Sequence, residues 1–190
     1  MTARARQLCG AGRLGLTAAV LAVLVGCSGG GDDDLPPPAS PAPEQTATID
    51  PVHQEILDVY AGSVAAMVAA QRAGDPEYPD LTQFFLERTP AHTKVLNGIT
   101  IQEANDEYYD GDIEVVSAEV TELDPEATPP EATIRACLDR SDYRLVNRED
   151  NSPVQDAVNV EHYLVTATAW SDEDGRWFIA ETEEHWDQTC

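Results

Sequence analysis

The hydrophobic period changes once along this chain, and that change constrains the fold more than any other feature. Val52, Ile56, Val59, Tyr60, Ser63 and Met67 recur at helical spacing. Asp50 is placed to cap that helix, Pro51 fits its first turn, and Gly74 is a natural stop, which predicts a helix over 51–73. A short second helix is expected over 79–87, with Leu81, Phe84 and Phe85 as its apolar contacts. Thr89-Pro90 starts a third through about Leu96, ended by Asn97-Gly98. Beyond residue 113 the period is two. Strands are predicted over 113–123, 132–138, 143–147, 159–170 and 176–186. Asp124-Pro125, Pro129-Pro130, Glu149-Asp150-Asn151 and Asp174-Gly175 mark the turns between them. Helices first and then a long antiparallel meander give an α+β domain over 49–190, with the first helix covering the apolar face of the sheet.

The preceding residues do not belong to that domain. Arg4, Arg6 and Arg13 form a basic leader without an acid, followed by an apolar run over 14–25. That run suits a signal peptide and is shorter than the ~20 residues that span a bilayer. It ends in Leu24-Val25-Gly26-Cys27, which resembles the bacterial lipobox. The resemblance implies that 1–27 is a lipoprotein signal peptide and that Cys27 becomes a diacylated first residue. Two acyl chains would hold the protein stably on the outer face of the cell membrane. Residues 28–48 contain Gly29-Gly30-Gly31, three aspartates and Pro36-Pro37-Pro38, and read as a tether with little to bury.

Charge and cysteine usage fit that address. After Cys27 the chain has 8 basic residues against 35 acids. A surface so acidic excludes nucleic acid as a partner. Of the four cysteines, Cys9 leaves with the leader and Cys27 takes lipid. Cys137 and Cys190 remain as a pair for a disulfide in an oxidising compartment, the alternative being two free thiols.

The order of elements resembles the nuclear transport factor 2-like (SnoaL-like) cone, in which N-terminal helices pack across a strongly curved antiparallel sheet. The closing hairpin carries the likeness: His162-Tyr163-Leu164-Val165-Thr166-Ala167-Thr168-Ala169-Trp170, an acidic turn, then Gly175-Arg176-Trp177-Phe178-Ile179. The chain is also similar to a group of actinobacterial lipoproteins with such a domain, one cysteine in a middle strand and another at the C-terminus. Cystatin-like and lipocalin-like sheets are the competing folds.

No phosphate loop, nucleophile elbow, zinc helix or paired Cys-x-x-Cys is present, so no cofactor and no metal are expected. Asp172, Asp174 and Glu181 match part of a calcium loop, but Trp170 stands where the first ligand belongs, and the segment reads as a turn. His53 and His92 fall on helix surfaces.

The resemblance implies a pocket on the concave face of the sheet. A three-residue loop at Glu173-Asp174-Gly175 predicts the hairpin register. Trp170 then faces Phe178, Thr168 faces Ala180, Thr166 faces Thr182, Leu164 faces Glu184 and His162 faces Trp186. That side also carries Val158 and Val160 and is assigned to the pocket, with Glu181, Glu183 and His185 on the solvent side. His162 and Glu184 are then the candidate acid–base pair, and Thr166, Thr182 and Trp186 the candidate ligand-binding residues. A four-residue loop is the competing register and dissolves the pair. The expected function is a surface-displayed module binding a small apolar molecule or a protein. An isomerase- or dehydratase-like enzyme and a structural envelope lipoprotein are the alternatives.

Overall fold

A computed structural model describes residues 50–155 and 160–190. The leader, the lipobox with Cys27, the tether over 28–48, and Val158 lie outside the described residues.

Three helices precede six strands: α1 (Pro51–Ala73), α2 (Leu81–Phe84), α3 (Pro90–Ala104), β1 (Glu107–Asp110), β2 (Glu114–Asp124), β3 (Glu131–Asp139), β4 (Arg144–Asn147), β5 (His162–Ser171) and β6 (Trp177–His185). Helices packed on a curved antiparallel sheet make this an α+β fold, as the change of period predicts.

Helix α1 forms as its ends dictate. Asp50 accepts a hydrogen bond from the Val52 amide at 2.8 Å, and Gly74 closes the helix in the left-handed region at φ 65°. Its buried face runs through Ile56, Tyr60, Ser63, Val64 and Ala70.

Helix α3 departs from expectation. It passes through Asn97-Gly98 and continues to Ala104. An interior glycine costs about 1 kcal/mol, but full burial of an isoleucine returns roughly 1.5–3 kcal/mol. Ile99 is fully buried and extends the stripe of Ala91 and Val95, so packing overrides the stop signal. Helix α2 is shorter than expected. Phe85 turns extended, bridges Ile179 in parallel fashion, and hands the chain to β6 through Leu86 N to Ile179 O at 3.3 Å.

The expected continuous meander is also broken. Strands β2, β3, β5 and β6 form one antiparallel sheet in that order, whereas β4 leaves it to pair with β1. Strand β1 was not foreseen, because four residues between Asp106 and Gly111 are too short for a period to show. On the main sheet Ala132, Ile134, Ala136 and Leu138 of β3 pack beneath the helices with Tyr163, Val165, Ala167 and Ala169 of β5.

The outer face of the sheet is fastened by the C-terminus. Cys137 is bonded to Cys190 across a Cα separation of 5.9 Å. Strand side chains alternate, so Cys137 points away from Ala136 and Leu138. The returning tail adds a backbone bond from Leu164 N to Gln188 O at 3.1 Å.

Candidate functional site

A cavity of about 310 Å³ opens between α1, α3, the concave face of the main sheet and the β1–β4 pair. Its apolar walls come from Val64 and Met67 of α1, Phe85, Val95 of α3, Ile113, Leu138 of β3 and Val165 of β5. Tyr60, Tyr109, Tyr143, Tyr163 and Trp186 add aromatic surface, and Ser63, Gln71, Lys94, Gln102, Arg140, Thr182 and Glu184 add polar groups. This size is at the lower end of the roughly 300–1,000 Å³ typical of ligand pockets.

The hairpin determines which predicted residues reach the cavity. Its turn is as expected. Gly175 lies at φ 82°, Asp172 N donates to Arg176 O at 2.9 Å, and Trp170 pairs with Phe178. The acidic tip is a hydrogen-bonded turn. Asp172 accepts from the amides of Asp174 and Arg176 at 3.0 and 2.9 Å. Hydrogen bonding from the Arg176 amide and then its guanidinium holds the Asp172 carboxyl below the usual carboxylate range.

Beyond Ala169 and Ile179 the register shifts by one. Thr168 pairs with Glu181, Thr166 with Glu183 and Leu164 with His185, leaving Ala180 as the extra residue of a bulge. Thr182 and Glu184 therefore lie opposite Ala167 and Val165, and share their concave side. The solvent-side assignment of Glu181, Glu183 and His185 on β6 holds. The concave assignment on β5 is corrected, because its odd-numbered residues, not its even-numbered ones, face the helices.

The proposed pair is thereby separated. His162 is exposed on the outer face, pairs with Asp139 in register, and lies 3.2 Å from its carboxylate. That carboxyl is held low chiefly by the side-chain and backbone hydrogen bonds of Ser141, with His162 a smaller cause. Glu184 instead faces the cavity and contacts Lys94 of α3. Thr166 is likewise outside, 2.9 Å from the His185 ring. Of the residues singled out from sequence, Thr182, Glu184 and Trp186 line the cavity, while His162 and Thr166 do not.

Several lining groups were not foreseen as site residues. Tyr60 and Gln102 are almost wholly buried, at 2% and 5% exposure. The hydroxyl of Tyr60 and the side-chain oxygen of Gln102 have no hydrogen-bond partner among the described residues. Tyr60 was read as a core position. Gln102 was masked by the expected end of α3, although a glutamine continuing a buried apolar stripe is itself a signal. Burial, reinforced by Tyr163 and Glu184, raises the Tyr60 hydroxyl far above its ordinary value. Tyr163 is pushed up to about 12 by burial against the opposing effect of Arg140. Both are neutral hydrogen-bonding groups at physiological pH. Tyr143, just before β4, donates to Gln71 of α1 at the cavity wall.

At one end of the cavity the Tyr109 and Tyr143 rings stack at 4.4 Å between centroids, and Tyr163 meets Trp186 at 4.3 Å. The Arg140 guanidinium lies between these groups. It is 5.9 Å from the Tyr109 ring, 5.7 Å from Tyr143 and 5.6 Å from Trp186. Arg140 follows β3 in the segment Asp139-Arg140-Ser141-Asp142.

In comparisons with known proteins, no family model and no curated protein matches this chain. Among solved structures, the chain is similar to the intermembrane space region of the chloroplast protein ARC6. The two are 12% identical with a TM-score of 0.46, over 72% of this chain and 97% of that one.

Proposed function

We propose that this protein is a lipid-anchored extracytoplasmic binding module. Its α+β domain, of nuclear transport factor 2-like type, takes a small and largely apolar ligand into the cavity between helices and sheet. The observation that carries this reading is the pair of buried, unpartnered polar atoms on Tyr60 and Gln102 in a cavity wall that is otherwise mostly apolar. A buried polar atom left unsatisfied costs about 1–3 kcal/mol. A ligand that supplies a donor or acceptor to each removes that cost and fixes its own orientation, as convergent polar groups do in binding pockets. The enzymatic alternative loses support with the separation of His162 from Glu184, and a cavity that is not filled by its own aromatics disfavours a purely structural role.

The anchor rests on the basic leader, the short apolar run and Cys27. The bond between Cys137 and Cys190 supports an oxidising compartment. The acidic chain disfavours nucleic acid. Two experiments test the proposal. In cells given labelled palmitate, Cys27→Ala is expected to abolish incorporation; unchanged labelling would refute the anchor.

For the cavity, the full chain is purified natively, extracted into organic solvent, and the extract analysed by mass spectrometry. A small molecule is expected from the wild type and not from Met67→Trp, whose indole occupies the space lined by Met67. Identical extracts from both proteins would refute cavity binding.

A further inference from the structure

The chemical class of the ligand is set by Arg140. We infer that the cavity recognises an amphipathic carboxylate, its anionic group on the Arg140 guanidinium and its apolar body between α1 and the sheet; this rests on the cavity-binding reading above.

A guanidinium is always charged, and five donors in a planar fork suit it to a carboxylate. Arg140 is half-buried, and placing such a group against apolar surface costs free energy unless the charge is compensated. The ion-paired cations differ from Arg140 in this respect, and Arg88, Arg135 and Arg144, which also lack an ion pair among the described residues, do not line this cavity. Arg72 has Asp112, Lys94 has Glu184, Arg148 has Asp106 and Arg176 has Asp172. No carboxylate lies within ion-pair distance of Arg140 among the described residues, although acids outnumber bases about threefold in the whole chain. Arg140 has no carboxylate partner among the described residues and is flanked by three aromatic rings at the edge of an apolar cavity, which leaves its fork open to an anion. The rings stabilise the cation through their faces and leave its edge to accept an anion.

The rest of the wall fits the same class. Glu184 is the acid that lines the cavity, and its contact with Lys94 neutralises it, so the cavity does not repel an anion. Tyr60, raised and therefore protonated, offers a hydroxyl donor rather than a phenolate. An amine-bearing ligand meets the opposite situation, since Arg140 repels it and Glu184, the one lining carboxylate among the described residues, already has a partner.

The test uses three probes with one apolar body and different heads: naphthylacetate, naphthylethanol and naphthylethylammonium. Each is titrated calorimetrically into the full chain in micelles, with heats referenced to the Met67→Trp protein. The acid is expected to bind about tenfold or more tightly than the alcohol, and the ammonium more weakly than both. Arg140→Gln is expected to bring the acid within about twofold of the alcohol while leaving the alcohol unchanged. Arg140→Lys, which keeps the charge and loses the fork, is expected to fall between them and serves if the glutamine variant does not fold. An alcohol that binds as well as the acid overturns the carboxylate assignment, as does a preference that survives Arg140→Gln; in both cases cavity binding itself stands. No heat above the filled variant with any probe counts against the cavity reading and the assignment together.

Discussion

Cys190→Ser is expected to cost the domain about 4 kcal/mol of stability, the chain-entropy value for a loop of this length. The bond closes a separation of 53 residues, from the middle of β3 to the last residue of the chain. Native domains are stable by only about 5–15 kcal/mol, so such a loss is a large share of the total. Cys190 is exposed, and a serine there removes the link without opening a hole in the core, whereas Cys137 is buried and its replacement would add a packing loss. Urea unfolding of the full chain is the measurement. The midpoint is expected to drop in Cys190→Ser, and the wild type with reductant is expected to match it. The loosening is expected to be local before it is global. The Leu164 amide donates to Gln188 in the returning tail, so its hydrogen exchange is expected to accelerate most among the β5 amides. Unfolding free energies equal to within about 0.5 kcal/mol would show that the bond closes a loop already constrained in the unfolded chain.

The bridge is legible because Cys137 and Cys190 are the two cysteines of the domain over 49–190. The cavity wall was legible only on one strand of the hairpin. Glu173-Asp174-Gly175 fixes the turn, and counting outward from it places Trp170 against Phe178 correctly. The count fails at Ala180. Trp177, Phe178, Ile179 and Ala180 are four apolar residues in a row, all buried, so alternation gives no phase there and one extra residue passes unseen. A slip of one reverses every later side chain on the partner strand. That is why Glu184 and Thr182 were assigned the right face, while His162 and Thr166 were assigned the wrong one. Helix α3 failed for a different reason. Asn97-Gly98 is a strong local stop, and the burial of Ile99 that overrides it is a tertiary effect. Gln102 was hidden by that error. Arg140 was hidden by its own neighbours, since a turn segment of alternating charge gives no sign that its arginine lacks a partner.

Gly111→Ala is expected to be the most damaging single methyl added to this protein. Gly111 sits between β1 and β2 at φ 93°, a conformation that side chains rarely adopt. A Cβ there would lie 1.8 Å from the backbone oxygen of Asp142 and 2.6 Å from its carbonyl carbon. Backbone cannot swing aside as a side chain can, so strain and overpacking combine to a cost on the order of 3 kcal/mol or more. The position also joins three parts of the cavity wall. Arg72, in the last turn of α1, donates to Gly111 O and is paired with Asp112 at 2.8 Å. Asp142 precedes Tyr143, whose ring stacks on Tyr109, and both rings flank Arg140. Pushing Asp142 away from Gly111 therefore displaces one tyrosine relative to the other and disturbs the seat of the guanidinium. Two readouts separate the effects. The urea midpoint is expected to fall, and below the transition the remaining folded protein is expected to lose part of its preference for naphthylacetate over naphthylethanol. Gly175→Ala is the matched control: it also has positive φ, but nothing lies within 4 Å of its added methyl, and it is far along the hairpin from the cavity residues. It is expected to cost about 1 kcal/mol, from φ strain alone, and to leave the preference intact. Equal losses in the two variants would mean that φ strain alone accounts for both, and that the contact between Gly111 and Asp142 does not position the cavity wall.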